Sequence, residues 1–309
     1  MSRIVITGCG GFVGAALAAR LRSSGHDVVP VATELLLVRQ PSSSAAIDSL
    51  LRGANAVIHL AARAHVMVEN HLDPLNEYRK SNVEGSLVLA EAAVRMHVPR
   101  FVFVSSIGVL GNRSGGAVFT EQDTAAPVEP YAVSKWEAEC ALRALETKSS
   151  LEVVIVRPPL VYGPRVKGNF LRLLRLVSSG MPLPLGSIEN RRSYIGVDNL
   201  AAFLIACAFH PAAAGRLFLI ADGEDVSTPE LLRLMAASMH KPSRVFPFPM
   251  PLLSAVAAAV GRRADLYRLA GSLRVDAASA RTVLDWRPVT SLQVGVGEMA
   301  RWFIGEPQR

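Results

Sequence analysis

The stretch "EPYAVSKWEAE" sets Tyr131 and Lys135 four positions apart, a step that places both on one face of a helix. Pro130, just before the tyrosine, suits the first turn of that helix. A free phenol, with a pKa of about 10, is a poor base at neutral pH, and a neighbouring ammonium favours its phenolate. That chemistry fits a carbon that exchanges hydride. A hydroxyl-bearing carbon loses hydride only as its O–H proton leaves, and a ketone accepts hydride only as its oxygen gains one. Upstream, "FVFVSSIGVLG" ends an apolar run on Ser105 and Ser106, and a serine there can hydrogen-bond a reacting oxygen. A tyrosine and a lysine four apart also occur as an ordinary surface pair, so the order of the surrounding elements decides the reading.

Those elements start at the N-terminus. In "RIVITGCGGFVGAALAARL", residues 3–21, Gly8, Gly11 and Gly14 recur every third position between an apolar run and an alanine-rich one. A strand, a glycine loop and a helix in that order leave helix N–H groups pointing at an anion. Gly8 permits the tight turn, Gly11 lets a pyrophosphate approach the backbone, and Gly14 allows close packing of helix on strand. The loop therefore reads as a dinucleotide site. Further apolar runs at 27–32, 56–62, 100–106 and 151–159 alternate with helical patterns, and the helix at 12–24 ends on Gly25 as a left-handed cap. This alternation predicts an α/β fold, a doubly wound parallel sheet of the Rossmann type, buried on both faces.

After about residue 164 proline and glycine rise, and helices are expected at 198–209, 228–240, 276–284 and 291–304. "VSTPELLRLMA" carries a helix-start signal, with Ser or Thr as cap, Pro229 in the first turn and Glu230 nearby. The chain divides into a dinucleotide-binding domain, 1–165, to which some later segments return, and a smaller mixed α/β substrate lobe, 166–309.

Composition narrows the classes. Half of the residues are hydrophobic and 19% are charged, a globular balance that excludes disorder. Three scattered cysteines form neither a disulfide framework nor a metal cluster. With no basic leader ahead of the first strand, the expected location is the cytoplasm. The net charge of +7 comes without a block of like charges, so no nucleic-acid partner is expected. Arginines around a diphosphate pocket account for the excess, and so does a generally arginine-rich composition. "FPFPMPLLSAVAAAVG" (246–261) falls short of the about 20 apolar residues of a spanning helix, so no transmembrane segment is expected. It reads as a buried or interface helix, with a peripheral membrane contact as the lesser alternative. His59 and His65 invite a metal, but no second ligand set accompanies them; His59 reads as a satisfied residue at a strand end.

The pattern Thr7-Gly8-x-x-Gly11-x-x-Gly14, with the serine-ended strand and the Tyr131/Lys135 pair behind it, resembles the extended short-chain dehydrogenase/reductase superfamily, in its NAD-dependent epimerase/dehydratase group. The resemblance covers nearly the whole chain. It implies Tyr131 as general acid/base, Lys135 as its activator and Ser106 as the third member. It also implies a cofactor groove along Gly8, Gly11, Phe12, Val13 and Gly14, past Ala32 and Thr33, then Leu60, Ala61 and Ala62. Ser105 and Pro158 continue that groove, and Asn82 helps position the cofactor beside Tyr131 and Lys135; the bland reading of Asn82 is a cap or turn residue. Ala32 stands where an acid normally takes the adenosine ribose; Glu34, two residues on, points to the same side if the strand continues. NAD and NADP both stay open, and the stretch up to the next strand is shorter than is usual in the group.

"RPPLVYGP", "VKGNFLRLLRLVSSGMPLPLG" and "NRRSYIGVDNLA" resemble the nucleotide-sugar branch of the group. By that resemblance Asn169 meets the nucleotide diphosphate of a UDP-sugar, Arg192 forks onto it and Arg268 is a second diphosphate arginine. For each arginine the alternative is a surface or structural ion pair. Leu160 replaces an asparagine that many epimerases have. Dehydratases of the branch place an Asp-Glu pair after the catalytic serine; Ile107 and Gly108 stand here and cannot transfer a proton. Between the remaining activities the reading leans to reduction of a UDP-4-keto-6-deoxy-N-acetylhexosamine, with a 4-epimerase holding its NAD as the alternative. A cofactor-sensing regulator is more remote, because both Tyr131 and Lys135 are present. Relatives often pair as homodimers through two helices each, which correspond to 72–97 and 130–147.

Overall fold

The computed structural model describes residues 1–37, 40–64 and 73–305. Its strands are β1 (Arg3–Thr7), β2 (Asp27–Val31), β3 (Ala56–His59), β4 (Arg100–Val104), β5 (Glu152–Arg157), β6 (Leu160–Tyr162), β7 (Tyr194–Gly196) and β8 (Leu217–Leu219). In the first half lie helices α1 (Phe12–Ser23), α2 (Thr33–Leu37), α3 (Pro41–Leu51), α4 (Pro74–Tyr78), α5 (Gly85–Arg95) and α6 (Pro130–Glu146). A π-helical stretch, Arg79–Glu84, joins α4 to α5. The second half adds α7 (Asn169–Ser178), α8 (Val197–Phe209), α9 (Thr228–Ser238), α10 (Met250–Ala259), α11 (Arg263–Ala270), α12 (Ala278–Leu284) and α13 (Leu292–Gly305).

The apolar runs form a six-stranded sheet in the order β2-β1-β3-β4-β5-β8, parallel throughout. Both faces are covered. Ile4 and Ile6 face a core shared with α1 and α8, while Val5, Phe101 and Phe103 face α3, α5 and α6. Strand order reverses between β1 and β3, and in such sheets ligands lie beyond the carboxyl ends of the strands at that point. The later segments α8 and β8 belong to this layered body. A second core, built from residues of β6, α7, α9, α10 and α13, encloses Phe170, Leu232, Met235 and Met299. The parallel pair β6–β7 borders it. The capping box foreseen at 227–230 is present: Ser227 Oγ accepts from Glu230 N and the Glu230 carboxylate accepts from Ser227 N.

One local expectation is corrected. β2 ends at Val31 and the chain turns directly into α2, burying Leu36, so Glu34 sits exposed in the first turn of a helix rather than on a continued strand. No strand forms among the described residues between β2 and β3, which leaves β2 at the sheet edge. Helix α11, which the sequence reading does not anticipate, follows α10 after a break at residues 260–262.

Candidate active site

The glycine loop is shaped by close approach. Gly8 has φ +72°, and Gly11 N donates to Gly8 O at 2.9 Å, closing the turn. A Cβ on Gly14 would stand 2.0 Å from Gly8 O, so only glycine lets α1 start this near the loop. Gly11 is the N-cap of α1 and offers no side-chain cap, and the first turn holds no acid. The N–H groups of Phe12 and Val13 in the first turn therefore face outward at the positive end of the helix dipole, a fit for a diphosphate.

Behind the loop, a buried polar chain ties β1 to β3. Thr7 Oγ1 accepts from Leu60 N (3.1 Å) and Ala61 N (2.9 Å), and its own proton goes to His59 Nδ1 at 2.7 Å. Ser86 Oγ donates to Asn82 O at 2.6 Å, so at 2.9 Å it accepts from His59 Nε2. His59 is thus neutral with its proton on Nε2, and burial, aided by Lys135, lowers its pKa to about 3. This is the satisfied strand-end histidine of the sequence reading; His65 lies outside the described residues. Asn82 is fully buried in the π-helical stretch, a device that often marks functional sites. Its amide brackets Arg63, accepting from the backbone N at 2.8 Å and donating to the O at 3.2 Å, and also donates to Ser134 Oγ at 2.9 Å. Ser134 Oγ in turn donates to Tyr131 O at 2.7 Å, so Asn82 locks the loop after β3 to the first turn of α6.

Tyr131 and Lys135 occupy that helix one turn apart. Tyr131 is half-buried, edge-on to Tyr78 at 6.2 Å. Lys135 is buried with its ammonium 4.1 Å from the Phe103 ring centre. Loss of hydration raises Tyr131 to about 12, with Tyr78 adding to it, and lowers Lys135 to about 7, opposed by Glu139. Both side chains are therefore pushed towards their neutral forms. For Tyr131 the direction runs against the phenolate expected from the spacing, and burial is its largest cause. Ser106 follows β4 in extended conformation, its Oγ accepting from Gly108 N at 3.1 Å. A Cβ on Gly108 would touch Ser106 Oγ at 3.4 Å and Ala132 Cβ at 3.5 Å, so the serine lies beside the turn that begins with Tyr131. Ile107 and Leu110 behind it are buried with Leu219 and Leu273, and Glu121 accepts from Leu219 N at 3.3 Å.

Sequence reasoning missed Glu139 and Arg157. Glu139 is the next residue on the face that carries Tyr131 and Lys135, a repeat of four that was legible in "YAVSKWEAE". Arg157 ends a strand that is apolar from Val153 to Val156. The two form a buried ion pair, and Ser105 Oγ donates to the same carboxylate.

The predicted cofactor residues gather at the carboxyl ends of the strands. Ala32 and Thr33 follow β2, Leu60, Ala61 and Ala62 follow β3, Ser105 follows β4 and Pro158 follows β5. Pro158 O accepts from Ile107 N at 3.0 Å, joining two of these ends. Ala32 is exposed and brings no carboxylate. On the substrate side, Asn169 opens α7 and is exposed. Arg192 Nη1 donates to the carbonyls of Arg268 and Gly271, both at 3.0 Å, holding the end of α11. The Arg268 guanidinium stands 3.9 Å from the carboxylate of Glu129, the cap of the helix that carries Tyr131. The two arginines are thus brought together at the end of α11, while Asn169 lies apart from them in sequence at the start of α7.

A family model described as the NAD dependent epimerase/dehydratase family matches residues 4–221. A Vibrio cholerae protein named UDP-glucose 4-epimerase is 40% identical over 97% of this chain and 95% of its own length. An Escherichia coli O157:H7 protein named N-acetyl-alpha-D-glucosaminyl-diphospho-ditrans,octacis-undecaprenol 4-epimerase is 27% identical over 81% of this chain and 77% of its own. Among solved structures, MoeE5 in complex with UDP-glucose and NAD superposes with a TM-score of 0.75 at 26% identity, covering 97% of this chain and 98% of that one.

Proposed function

On the premise that the chain belongs to the NAD-dependent epimerase/dehydratase family, we propose that it catalyses oxidoreduction at C4 of a UDP-sugar and interconverts the two C4 epimers. What supports this reading is that Ser106, at the end of β4, lies beside the first turn of α6, which carries Tyr131 and Lys135, in a chain that opens on an uncapped, glycine-built helix N-terminus. The Vibrio cholerae relative, similar over nearly its whole length, points to epimerisation rather than to net reduction.

Gly8, Gly11, Phe12, Val13 and Gly14 would hold the diphosphate of a nicotinamide dinucleotide, with the ends of β2 and β3 along the adenosine half. When bound, that group would supply hydride transfer and, in its oxidised form, a positive charge. Tyr131 Oη takes the proton of the sugar O4 hydroxyl and gives one back to the keto oxygen. At neutral pH a phenol held near 12 is a proton donor, which suits the return step, and added positive charge favours the forward one. Lys135, with its pKa near 7, supplies the local cation on the same helix face. Ser106 hydrogen-bonds the reacting oxygen and fixes its direction. Arg192 and Arg268 meet the sugar diphosphate, whose charge attracts them without requiring a buried carboxylate partner.

A second reading, reduction of a 4-keto-6-deoxy sugar, is favoured by Ala32, which leaves the ribose end of the groove without the acid that holds a tightly retained NAD. Ile107 and Gly108, which stand where dehydratases place an Asp-Glu pair, speak against dehydration, which needs a proton donor for the leaving hydroxyl. Purified protein would be assayed for retained dinucleotide and offered UDP-N-acetylglucosamine. Appearance of the C4 epimer without net absorbance change near 340 nm supports epimerisation. Stoichiometric loss of that absorbance with UDP-4-keto-6-deoxy-N-acetylglucosamine and NADH or NADPH supports reduction instead.

A further inference from the structure

The stretch "KPSRVFPFPMPLLSAVAAAVGRRA", residues 241–264, carries four basic side chains and no acid, and residues 245–261 carry no ionisable side chain at all. Within it α10 buries only Leu253 and Ala257. Leu252 (56% exposed), Val256 (56%) and Val260 (63%) follow one another at steps of four and form an apolar stripe on the outside, preceded by Phe246 at 40%. Arg244 lies exposed before the helix and Arg262 and Arg263 exposed after it, while Lys241 Nζ is held by Ser178 O at 2.5 Å. An exposed apolar stripe with cations at both ends can lie against a bilayer surface, its apolar side chains at the acyl boundary and its cations on anionic headgroups. Among the described residues no helix is long and apolar enough to cross a membrane, and α10 has 10 residues.

Charge selects the occupant. A second copy packed along α10 would bring the three arginines at its ends near those of the other copy, with Asp265 the one acid close to them in sequence. An anionic headgroup layer meets all of them. We propose that α10 and its flanking turns dock on an anionic phospholipid surface, with Phe246, Leu252, Val256 and Val260 in the acyl boundary and Arg244, Arg262 and Arg263 on the phosphates. The face is tied to the candidate site. α11 follows α10 directly, Arg192 holds its end, and Arg268 on it reaches Glu129 at the start of α6. Docking brings the rim of the groove to the membrane surface.

The test is co-sedimentation of the full chain with vesicles of phosphatidylcholine alone and of phosphatidylcholine with 30% phosphatidylglycerol. Wild type pellets with the anionic vesicles and much less with the neutral ones, and high salt releases it. The double variant Leu252→Glu, Val256→Glu loses binding by about tenfold or more, while its thermal transition and its turnover of a water-soluble UDP-sugar stay at wild-type values. Wild type remaining in the supernatant with both vesicles overturns the proposal, as does a double variant that pellets like wild type. A wild-type dimer on size exclusion that the double variant converts to monomer assigns the face to a second copy and overturns it too. Turnover is read in the same samples, so failure of docking and failure of the C4 chemistry are separate results.

Discussion

Glu139 grips Arg157 at two points, Nε to Oε1 at 3.0 Å and Nη2 to Oε2 at 2.6 Å, inside the protein and one helical turn beyond Lys135. The pair fastens α6, which carries Tyr131 and Lys135, to β5, and Ser105 brings in the end of β4 next to Ser106. Its geometry therefore sets the spacing of the three candidate catalytic groups, and its carboxylate opposes the burial that lowers Lys135.

Replacing Glu139 by Gln removes that support, so Lys135 loses its proton at a lower pH than about 7 and the alkaline limb of the kcat profile moves to the acid side. The variant also leaves Arg157 buried without its partner, at a cost of about 3–5 kcal/mol. The double variant Glu139→Met, Arg157→Met separates the two effects, since an apolar pair of similar size often matches a buried ion pair in stability. A double variant that folds and still shows the acid shift supports the electrostatic role. A wild-type profile in that variant contradicts it.

His59 makes stability depend on pH. Its folded value of about 3 lies below the ordinary 6.5, so between these the unfolded chain binds a proton that the folded chain does not. Stability therefore rises with pH through this window and falls on acidification. From pH 6.5 to pH 5 the loss from this group is about 1.5–2 kcal/mol, measurable by urea unfolding. A His59→Gln variant, less stable near neutrality, shows a flatter dependence over the same range. An unchanged slope contradicts the buried neutral ring.

The glycine loop offers an internal control. A methyl on Gly14 would collide with Gly8 O, whereas one on Gly10 meets nothing within 4 Å. Gly14→Ala is expected to lose about 1–3 kcal/mol of stability and to weaken dinucleotide binding in a calorimetric titration. Gly10→Ala changes stability by about 0.5 kcal/mol or less. Equal behaviour of the two would mean that the third glycine is not there for packing.

Much of this was legible because it is local. The glycine spacing, the cap at Gly25, the capping box at Ser227 and Glu230 and the four-residue step from Tyr131 to Lys135 are all set by neighbours in sequence. What escaped is long-range. Arg157 meets Glu139 only because β5 packs under α6, and Arg192 reaches the end of α11 across 76 residues. The fate of Glu34 depended on where β2 stopped, which burial of Leu36 decides rather than any pattern in β2. The pKa directions of Tyr131 and Lys135 were also out of reach, since spacing reports proximity and not desolvation.

The central claim is that Tyr131 moves the proton at O4 of a UDP-sugar. The direct measurement compares wild type with Tyr131→Phe in the conversion of UDP-N-acetylglucosamine to its C4 epimer, with dinucleotide affinity read in parallel. The account predicts a fall in kcat of about 10²–10⁴-fold with affinity for the dinucleotide nearly unchanged. Turnover at the wild-type rate in the phenylalanine variant would contradict it.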